Sequence, residues 1–214
     1  VGAPPSDDPK LAEVRAQGIP IHGADERGLD RFRESLDSAD AVVDSLLGTG
    51  ASRPIEGILG QSLAEVAEAK ALRPALFVLA LDLPTGLDAD TGSADPACLA
   101  ADVTVTLGRP KIGLYRFPGA EYAGRVETAD IGLPAGLDTD IGIELITRQW
   151  ARTQLPKRRL ASHKGTFGRT MVVAGSRSYV GAAILAANAA GRVGAGLVTL
   201  AVPESLQGAV AAGA

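Results

Sequence analysis

The chain has 214 residues, of which 46% are hydrophobic and 21% charged, a composition typical of one large or two small globular domains. Its formal net charge of -4 excludes the Lys/Arg excess of a nucleic-acid-binding domain. The single cysteine excludes an intramolecular disulfide and a cysteine zinc cluster, and apolar runs such as 76–81 are too short to cross a bilayer, so we expect a cytoplasmic protein without membrane or nucleic-acid partners.

Short apolar runs alternate with amphipathic segments along most of the chain. The elements predicted up to residue 131 are, in chain order, a helix over 9–17, a strand over 19–22, a helix over 25–36, a strand over 41–47, a helix over 61–72, and strands over 77–81, 103–107 and 125–131. The run 77–81 is apolar throughout, as in a parallel strand covered on both faces. Strands separated by helices indicate βαβ units and a mainly parallel sheet, so the predicted fold class is α/β.

The pattern weakens after Pro134, and residues 135–140 are predicted to form a linker. A second βαβ unit is predicted beyond it, with a preceding helix over 143–155, a strand over 171–174, a helix over 181–193 and a strand over 197–202. We therefore divide the chain into domains 1–140 and 141–214. Because it begins at Val1 and ends inside a helical pattern, we expect a fragment of a longer protein.

Two aspartates, Asp44 and Asp82, stand at the ends of predicted strands. A parallel sheet would bring both to its carboxyl edge, where open α/β sheets bind ligands. A buried, unpaired carboxylate costs on the order of several kcal/mol. Each aspartate therefore needs a cation, a ligand hydroxyl, backbone N–H groups or a raised pKa suited to proton transfer. Each could also simply cap the helix that comes after its strand.

The turns after these strands offer further ligand groups. The hydroxyl of Thr85 and the carboxylate of Asp44 would suit an alkali or alkaline-earth cation, although an ordinary turn hydroxyl is the simpler explanation. The glycine-rich loop consists of Gly48, Thr49, Gly50, Ala51, Ser52, Arg53 and Pro54. Its backbone N–H groups and guanidinium could surround a phosphate. The loop matches neither a dinucleotide fingerprint nor a Walker loop, and a sharp turn needs glycines as well.

Several motifs, in this order, resemble the NAD(P)H-hydrate epimerase family. The segments that carry this resemblance are 42–50, 53–57, 81–87 and 118–124. The segments 162–169, 181–183 and 194–199 resemble the opening of the ADP-dependent NAD(P)H-hydrate dehydratase domain. The resemblance implies that 1–140 is the C-terminal part of a Rossmann-like three-layer sandwich, the epimerase domain. It also implies that 141–214 begins a ribokinase-like α/β domain.

The resemblance implies repair of hydrated nicotinamide nucleotides by an isomerase and a lyase joined in one multifunctional enzyme. The hydrates NADHX and NADPHX each exist as an R and an S epimer. The epimerase interconverts the two epimers, and the dehydratase returns the S form to NAD(P)H. The cofactors implied are a potassium ion at the epimerase site and ADP or ATP with magnesium at the dehydratase site. The partners implied are the small-molecule substrate and, for the full-length protein, further copies in a homo-oligomer.

The resemblance also implies roles for individual residues. Asp44 and Thr85 would bind potassium, with Thr85 standing where the family often has serine. The loop 48–54 would hold the substrate phosphates. Asp82 would contact the hydrated nicotinamide and transfer the proton at the epimerising carbon. Ala182 would line the dehydratase substrate site.

The chain departs from the family in two places: the Asn/Gly/Asp-rich loop of the epimerase and the later Gly-rich aspartate motif of the dehydratase have no counterpart in the sequence. We therefore predict that this polypeptide alone is inactive in both reactions. Two other hypotheses stay open. One is a non-catalytic nucleotide- or protein-binding module with the epimerase-like fold, and the other is a sugar or vitamin kinase related through the second domain, which leaves 1–135 unexplained.

Overall fold

The computed structural model describes residues 8–50 and 53–213. Contacts divide the chain into two compact units, unit 1 over 1–140 and unit 2 over 141–214. The longer elements of unit 1 are α1 (Pro9–Ala16), α2 (Glu26–Ser38), β1 (Ala41–Asp44), α3 (Gly57–Leu72), β2 (Phe77–Leu81), β3 (Val103–Leu107), α4 (Gly119–Tyr122) and β4 (Arg125–Ala129). Those of unit 2 are α5 (Arg148–Gln154), β5 (Arg169–Val173), α6 (Val180–Val193), β6 (Leu197–Ala201) and α7 (Gln207–Ala211).

The sheet of unit 1 is parallel, with the strand order β1-β2-β3-β4. Asp44 pairs in register with Ala80, and Leu81 pairs with Val105. The carboxyl ends of β1, β2 and β3 consequently lie side by side at one edge, which we call the carboxyl edge of unit 1. The parallel α/β architecture predicted from the sequence is confirmed.

The core of unit 1 forms between one face of this sheet and the helices α2 and α3. Leu36 of α2 and Leu63 and Val66 of α3 pack with Val78 and Ala80 of β2, and all five are buried. Removing this apolar surface from water stabilises the unit, at roughly 25 cal/mol per Å². The helical layer thereby holds β2, and the turn directly after β2, in place.

The opposite face of the sheet is less well covered. Side chains alternate along a strand, so Val43, Phe77 and Leu81 point to this face, where they are 61%, 41% and 40% exposed. Helix α1 buries none of its residues. The prediction that the strand 77–81 is covered on both faces is wrong for the part of the chain that the structure describes, which shows one packed helical layer on the sheet.

Local chemistry explains where the predicted boundaries differ from the observed ones. Residues 19–22 form no strand; Pro20 lacks a backbone N–H, and Ile19 and Ile21 are 50% and 42% exposed. Strand β1 ends at Asp44, three residues earlier than predicted, because the backbone N–H of Leu47 donates to a threonine side chain and leaves the sheet.

Unit 2 is a βαβ unit in which β5 and β6 pair in parallel. Its core consists of Ala183 of α6, Leu206 and Val210. Gly194 ends α6 in the left-handed region, at φ 119°, which favours glycine. Helix α5 is shorter than the predicted 143–155, because the Thr147 side chain caps it by accepting a hydrogen bond from the Trp150 N–H. Among the described helices of both units, none has the length and apolar character needed to cross a membrane.

Candidate functional site at the carboxyl edge

The turn after β2, residues 82–86, lies at the centre of the carboxyl edge of unit 1. Leu83 and Leu87 anchor it, since both are buried in a small cluster with Leu114 and Ala123. The polar members of the turn therefore sit on a fixed base. One side of the turn meets the end of β1, and the other side meets the end of β3.

On the β1 side, the carboxylate of Asp44 is held by Thr85. Its Oδ2 accepts the Thr85 backbone N–H at 2.8 Å, and its Oδ1 accepts the Thr85 hydroxyl at 2.5 Å. That hydroxyl oxygen also accepts the Leu47 N–H at 3.1 Å, which ties the loop after β1 to the turn. Asp44 is 2% exposed and Thr85 0%, so these bonds form out of contact with water.

The loop after β1 is mostly exposed. Gly48, Thr49, Gly50, Arg53 and Pro54 are all exposed at this edge. Residues 51 and 52, predicted members of the same phosphate-binding loop, lie outside the described residues. Exposed backbone N–H groups and a guanidinium are groups that can meet a phosphate.

The far end of that loop is attached to the turn by Asp95. Its Oδ2 accepts the Ile55 N–H at 3.1 Å, while its own backbone N–H donates to the Gly86 carbonyl at 2.9 Å. Gly86 has a φ of 92°, and a Cβ placed there would lie 2.7 Å from Cδ1 of Ile55. The left-handed φ and this close approach together favour glycine here.

On the β3 side, Asp82 has a φ of 72°, a left-handed conformation that is uncommon outside glycine. Its Oδ1 forms an ion pair with Lys111 and accepts the Leu107 N–H at 2.9 Å. The Thr106 hydroxyl lies 3.4 Å from the same oxygen. Burial raises the pKa of Asp82, but the Lys111 ammonium and the Leu107 N–H outweigh burial and hold this pKa below its ordinary value. Asp82 is therefore ionised at neutral pH.

Sequence reasoning missed three polar members of this edge: Thr106, Lys111 and Asp95. The signal for the first two was available, because Thr106 is the next-to-last residue of β3 and Lys111 stands within five residues of it. The strand-end argument used for β1 and β2 applies equally to β3. Nothing in the sequence marked Asp95, whose role depends on two loops that meet only in the folded chain.

Burial also sets the chemistry of Cys98, which lies in the same cluster as Leu83. Burial in the first place, and then the carboxylates of Asp44 and Asp95, raise the pKa of its thiol to about 12. The thiolate, which is the reactive form, is thus scarce at neutral pH. Cys98 is a packing residue of this edge.

The described residues contain no group of three or more His, Cys, Asp or Glu side chains that could hold a metal ion. An alkali cation needs less, since hydroxyl and carbonyl oxygens serve it as well as carboxylates. In the described part of the chain no Lys, Arg or His forms a salt bridge with Asp44. The carboxyl oxygens of Asp44 and the neighbouring Thr85 hydroxyl oxygen are buried oxygen donors of the kind that suits such a cation.

The remaining predicted residue, Ala182, belongs to unit 2. It is exposed in the first turn of α6. The segments after β5 and β6 begin with Ala174, Gly175, Val202 and Pro203, whose side chains carry no ligand for Mg²⁺. Polar and charged side chains follow at Ser176, Arg177 and Glu204, which are all exposed.

One family model covers most of unit 1. Residues 6–113, about half of the chain, match the family described as "YjeF-related protein N-terminus". A crystal structure of yeast ynu0, YNL200c, overlaps 64% of this chain and 54% of its own at 18% identity, with a TM-score of 0.48. That likeness is too low to carry a conclusion.

Curated relatives match over both units. A protein from Moorella thermoacetica is 43% identical over 188 residues, which is 87% of this chain and 34% of the relative. One from Thermofilum pendens is 36% identical over 88% of this chain and 35% of the relative. One from Archaeoglobus fulgidus is 36% identical over 94% of this chain and 38% of the relative. Each of the three is named bifunctional NAD(P)H-hydrate repair enzyme Nnr. The chain spans about a third of the length of these relatives.

Proposed function

The chain belongs to the family of YjeF-related protein N-termini, and on this basis we propose that it contributes to repair of hydrated NAD(P)H. Unit 1 is proposed to epimerise the R and S hydrates, and unit 2 to belong to an ADP-dependent dehydratase. The names of the relatives support the repair role. The observation that carries the epimerase assignment is the ion pair of Asp82 with Lys111 at the same sheet edge as the buried Asp44.

Asp82 is the proposed base. Epimerisation must break and remake a bond at the ring carbon that bears the hydroxyl. An ionised carboxylate starts by accepting a proton, so Asp82 takes the hydroxyl proton while the O–H electron pair forms a carbonyl and the carbon–nitrogen bond breaks toward the ring nitrogen. When the nitrogen attacks the other face of the carbonyl, Asp82 returns the proton. Atoms and charge balance over this cycle.

The remaining residues of the edge are proposed to bind. The loop 48–54 holds the substrate phosphates, through backbone N–H groups and the Arg53 guanidinium. Asp44 and Thr85 would hold a potassium ion, whose positive charge would favour binding of an anionic substrate. Asp95 fixes the end of the loop near Ile55. In this proposal the loop 48–54, Asp44 and Thr85 bind, and Asp82 transfers the proton.

For unit 2, the proposal rests on its βαβ topology and on the relatives, which match beyond residue 140. A ribokinase-like domain would begin here, with Ala182 lining its substrate site. The first two residues after β5 and after β6 carry no polar side chain, and unit 2 is assigned no catalytic step of its own. We further propose a cytoplasmic, homo-oligomeric protein at full length.

The experiment compares wild-type and Asp82→Asn protein, expressed from the full reading frame that contains these residues. Separated R and S hydrates are supplied, and their interconversion is followed by chromatography. We expect wild-type interconversion and a loss of about 100-fold or more in Asp82→Asn, within the usual range for a positioned proton-transfer group. Wild-type activity in Asp82→Asn would refute the assignment. The 214-residue chain, assayed in parallel, tests the expectation that it is inactive alone.

A further inference from the structure

We propose that Lys111 is a positioning residue: it holds one carboxylate oxygen of Asp82 so that the other faces the substrate. This inference rests on the proposed function, in which Asp82 is the group that meets the hydrated ring. Lys111 lies beyond the end of β3, directly before a short 3₁₀ turn over 112–115, and its side chain is 19% exposed. The proposed epimerase chemistry above gives it no role of its own.

All three donors of the Lys111 ammonium are accounted for. Nζ donates to Asp82 Oδ1, to the Leu107 carbonyl at 3.0 Å and to the Thr106 hydroxyl at 3.2 Å. An ammonium has three N–H groups, so none is left for a ligand while these bonds hold. Lys111 therefore acts on Asp82 and on the end of β3, and any effect on the substrate passes through Asp82.

The two oxygens of Asp82 are in unequal surroundings. Oδ1 accepts hydrogen bonds from Lys111 and from the Leu107 N–H at 2.9 Å, while the single hydroxyl hydrogen of Thr106 is shared between Oδ1 and the Arg109 carbonyl, both at 3.4 Å. Oδ2 accepts no hydrogen bond from the described residues, and the side chain is 22% exposed. One oxygen is thus anchored by the Lys111 ammonium and the Leu107 N–H, and the other is left for an external partner.

The backbone of Asp82, like its carboxylate, is held against β3. Its φ of 72° costs on the order of 1–3 kcal/mol for a residue with a side chain, and such strain persists only where surrounding contacts impose it. Its N–H donates to the Val105 carbonyl at 2.8 Å, which continues the pairing with β3. Backbone and carboxylate are therefore both fixed against β3, and Lys111 provides the charged part of that attachment.

A purely structural role for Lys111 makes different predictions, and Lys70 is the matched control. Lys70 also forms a part-buried ion pair, with Asp102 at 2.8 Å, and it also donates to backbone carbonyls, at Pro74 and Leu76. Its partners, however, precede β2 and β3, at the amino end of the sheet. Lys70→Met thus removes an ion pair of the same kind without touching the carboxyl edge.

The test is a double-mutant cycle in the full reading frame. Lys111→Met, Asp82→Asn and the double variant are assayed for kcat and KM of epimerisation, with Lys70→Met as the control. We expect Lys111→Met to lower kcat ~100-fold with little change in KM, as for a reacting group displaced by about 1 Å. Because Lys111 acts through Asp82, the double variant should lose no more than ~3-fold beyond Asp82→Asn. Lys70→Met should keep its kcat.

A measurement on the free protein separates this inference from the proposed function. The Hα–Hβ couplings of Asp82, measured by NMR, should show a single χ1 rotamer in wild type and in Lys70→Met, and averaged rotamers in Lys111→Met. Additive losses, a wild-type kcat in Lys111→Met, or a retained single rotamer in that variant would overturn the positioning role. If wild type does not interconvert the hydrates, the proposed function fails, and the couplings alone decide the role of Lys111.

Discussion

The carboxyl edges of the two parallel sheets differ in the residues at and just beyond their strand ends. In unit 1 these residues include Asp44, Asp82 and Thr106, whose side chains are hydrogen-bonded to residues of neighbouring turns. In unit 2 the segments after β5 and β6 begin with small or apolar residues, Ala174 and Val202. The same strand-helix-strand topology thus supports an edge with hydrogen-bonded polar side chains in unit 1. In the described part of unit 2 it supports an edge that begins with small or apolar residues.

Each edge is stabilised in its own way. The buried polar groups of unit 1 depend on one another, because each loses its water and gains a specific partner. The edge of unit 2 depends on turn geometry, as at Gly175, whose φ is 95°. Removing a hydroxyl should therefore lower the stability of unit 1 more than that of unit 2. Adding a side chain to a turn glycine should lower the stability of whichever unit contains that glycine.

The largest difference is expected for Thr85→Val, compared with Thr199→Val on the exposed surface of β6. Losing the hydroxyl leaves Asp44 Oδ1 and the Leu47 N–H without a partner, at a cost of about 3 kcal/mol, since a buried donor or acceptor left unsatisfied loses its full solvation energy. Thr199→Val should change stability by no more than about 0.5 kcal/mol. Denaturant unfolding should be followed by alkylation of Cys98 for unit 1 and by fluorescence of Trp150 for unit 2.

Equal shifts in the two variants would contradict the contrast between the edges. So would a Thr85→Val variant in which the Cys98 transition stays at its wild-type midpoint.

A smaller effect, and one shared by the units, is expected for Gly86→Ala and Gly175→Ala. Both glycines have a φ near 90°, and an L-residue in the left-handed region costs about 1–2 kcal/mol. The new Cβ would meet Ile55 at 2.7 Å in unit 1 and Ala183 at 3.1 Å in unit 2. Each variant should lower only the midpoint of its own unit in the same denaturation experiment. A neutral Gly175→Ala would show that the edge of unit 2 tolerates a side chain.

The smallest difference concerns acid. The pKa of Asp82 is lowered because Lys111 and the Leu107 N–H outweigh burial, and that of Asp102 is lowered chiefly by its hydrogen bond to Lys70. A carboxyl whose pKa is lower in the folded state stabilises that state at any pH above 3.8, the ordinary pKa of aspartate. This stabilisation is lost as the pH falls through the pKa of the folded state.

Unit 2 has two carboxyl side chains, Glu144 and Glu204, and neither forms a salt bridge in the described part of the chain. Taking the pH from about 5 to about 3 should therefore lower the denaturant midpoint of unit 1, followed by the NMR signals of the β2 amides, more than the midpoint of the Trp150 transition. The effect should be modest, because solvent screens part-exposed groups. Lys111→Met and Lys70→Met should each reduce it. An equal loss in both units would point to general acid unfolding instead.

The pattern of hydrophobic residues was sufficient to predict the class of fold and the order of most of its elements. Alternating apolar runs and amphipathic segments indicated the parallel sheet, and strands 77–81 and 103–107 have the predicted bounds. These predictions succeeded because the spacing of hydrophobic residues along a segment shows which of its faces is buried, and this spacing can be read from the local sequence. The strand over 19–22 was wrong because a short apolar run does not pair by itself, least of all around Pro20.

Which polar groups meet depends on the tertiary structure. The sequence placed Asp44 and Asp82 at one edge, but their partners lie 41 and 29 residues away along the chain, at Thr85 and Lys111. Asp95 reaches Ile55 across 40 residues. A hydrogen bond needs two atoms within about 3 Å. That distance depends on strand register and on loop closure, which no spacing in a single sequence encodes.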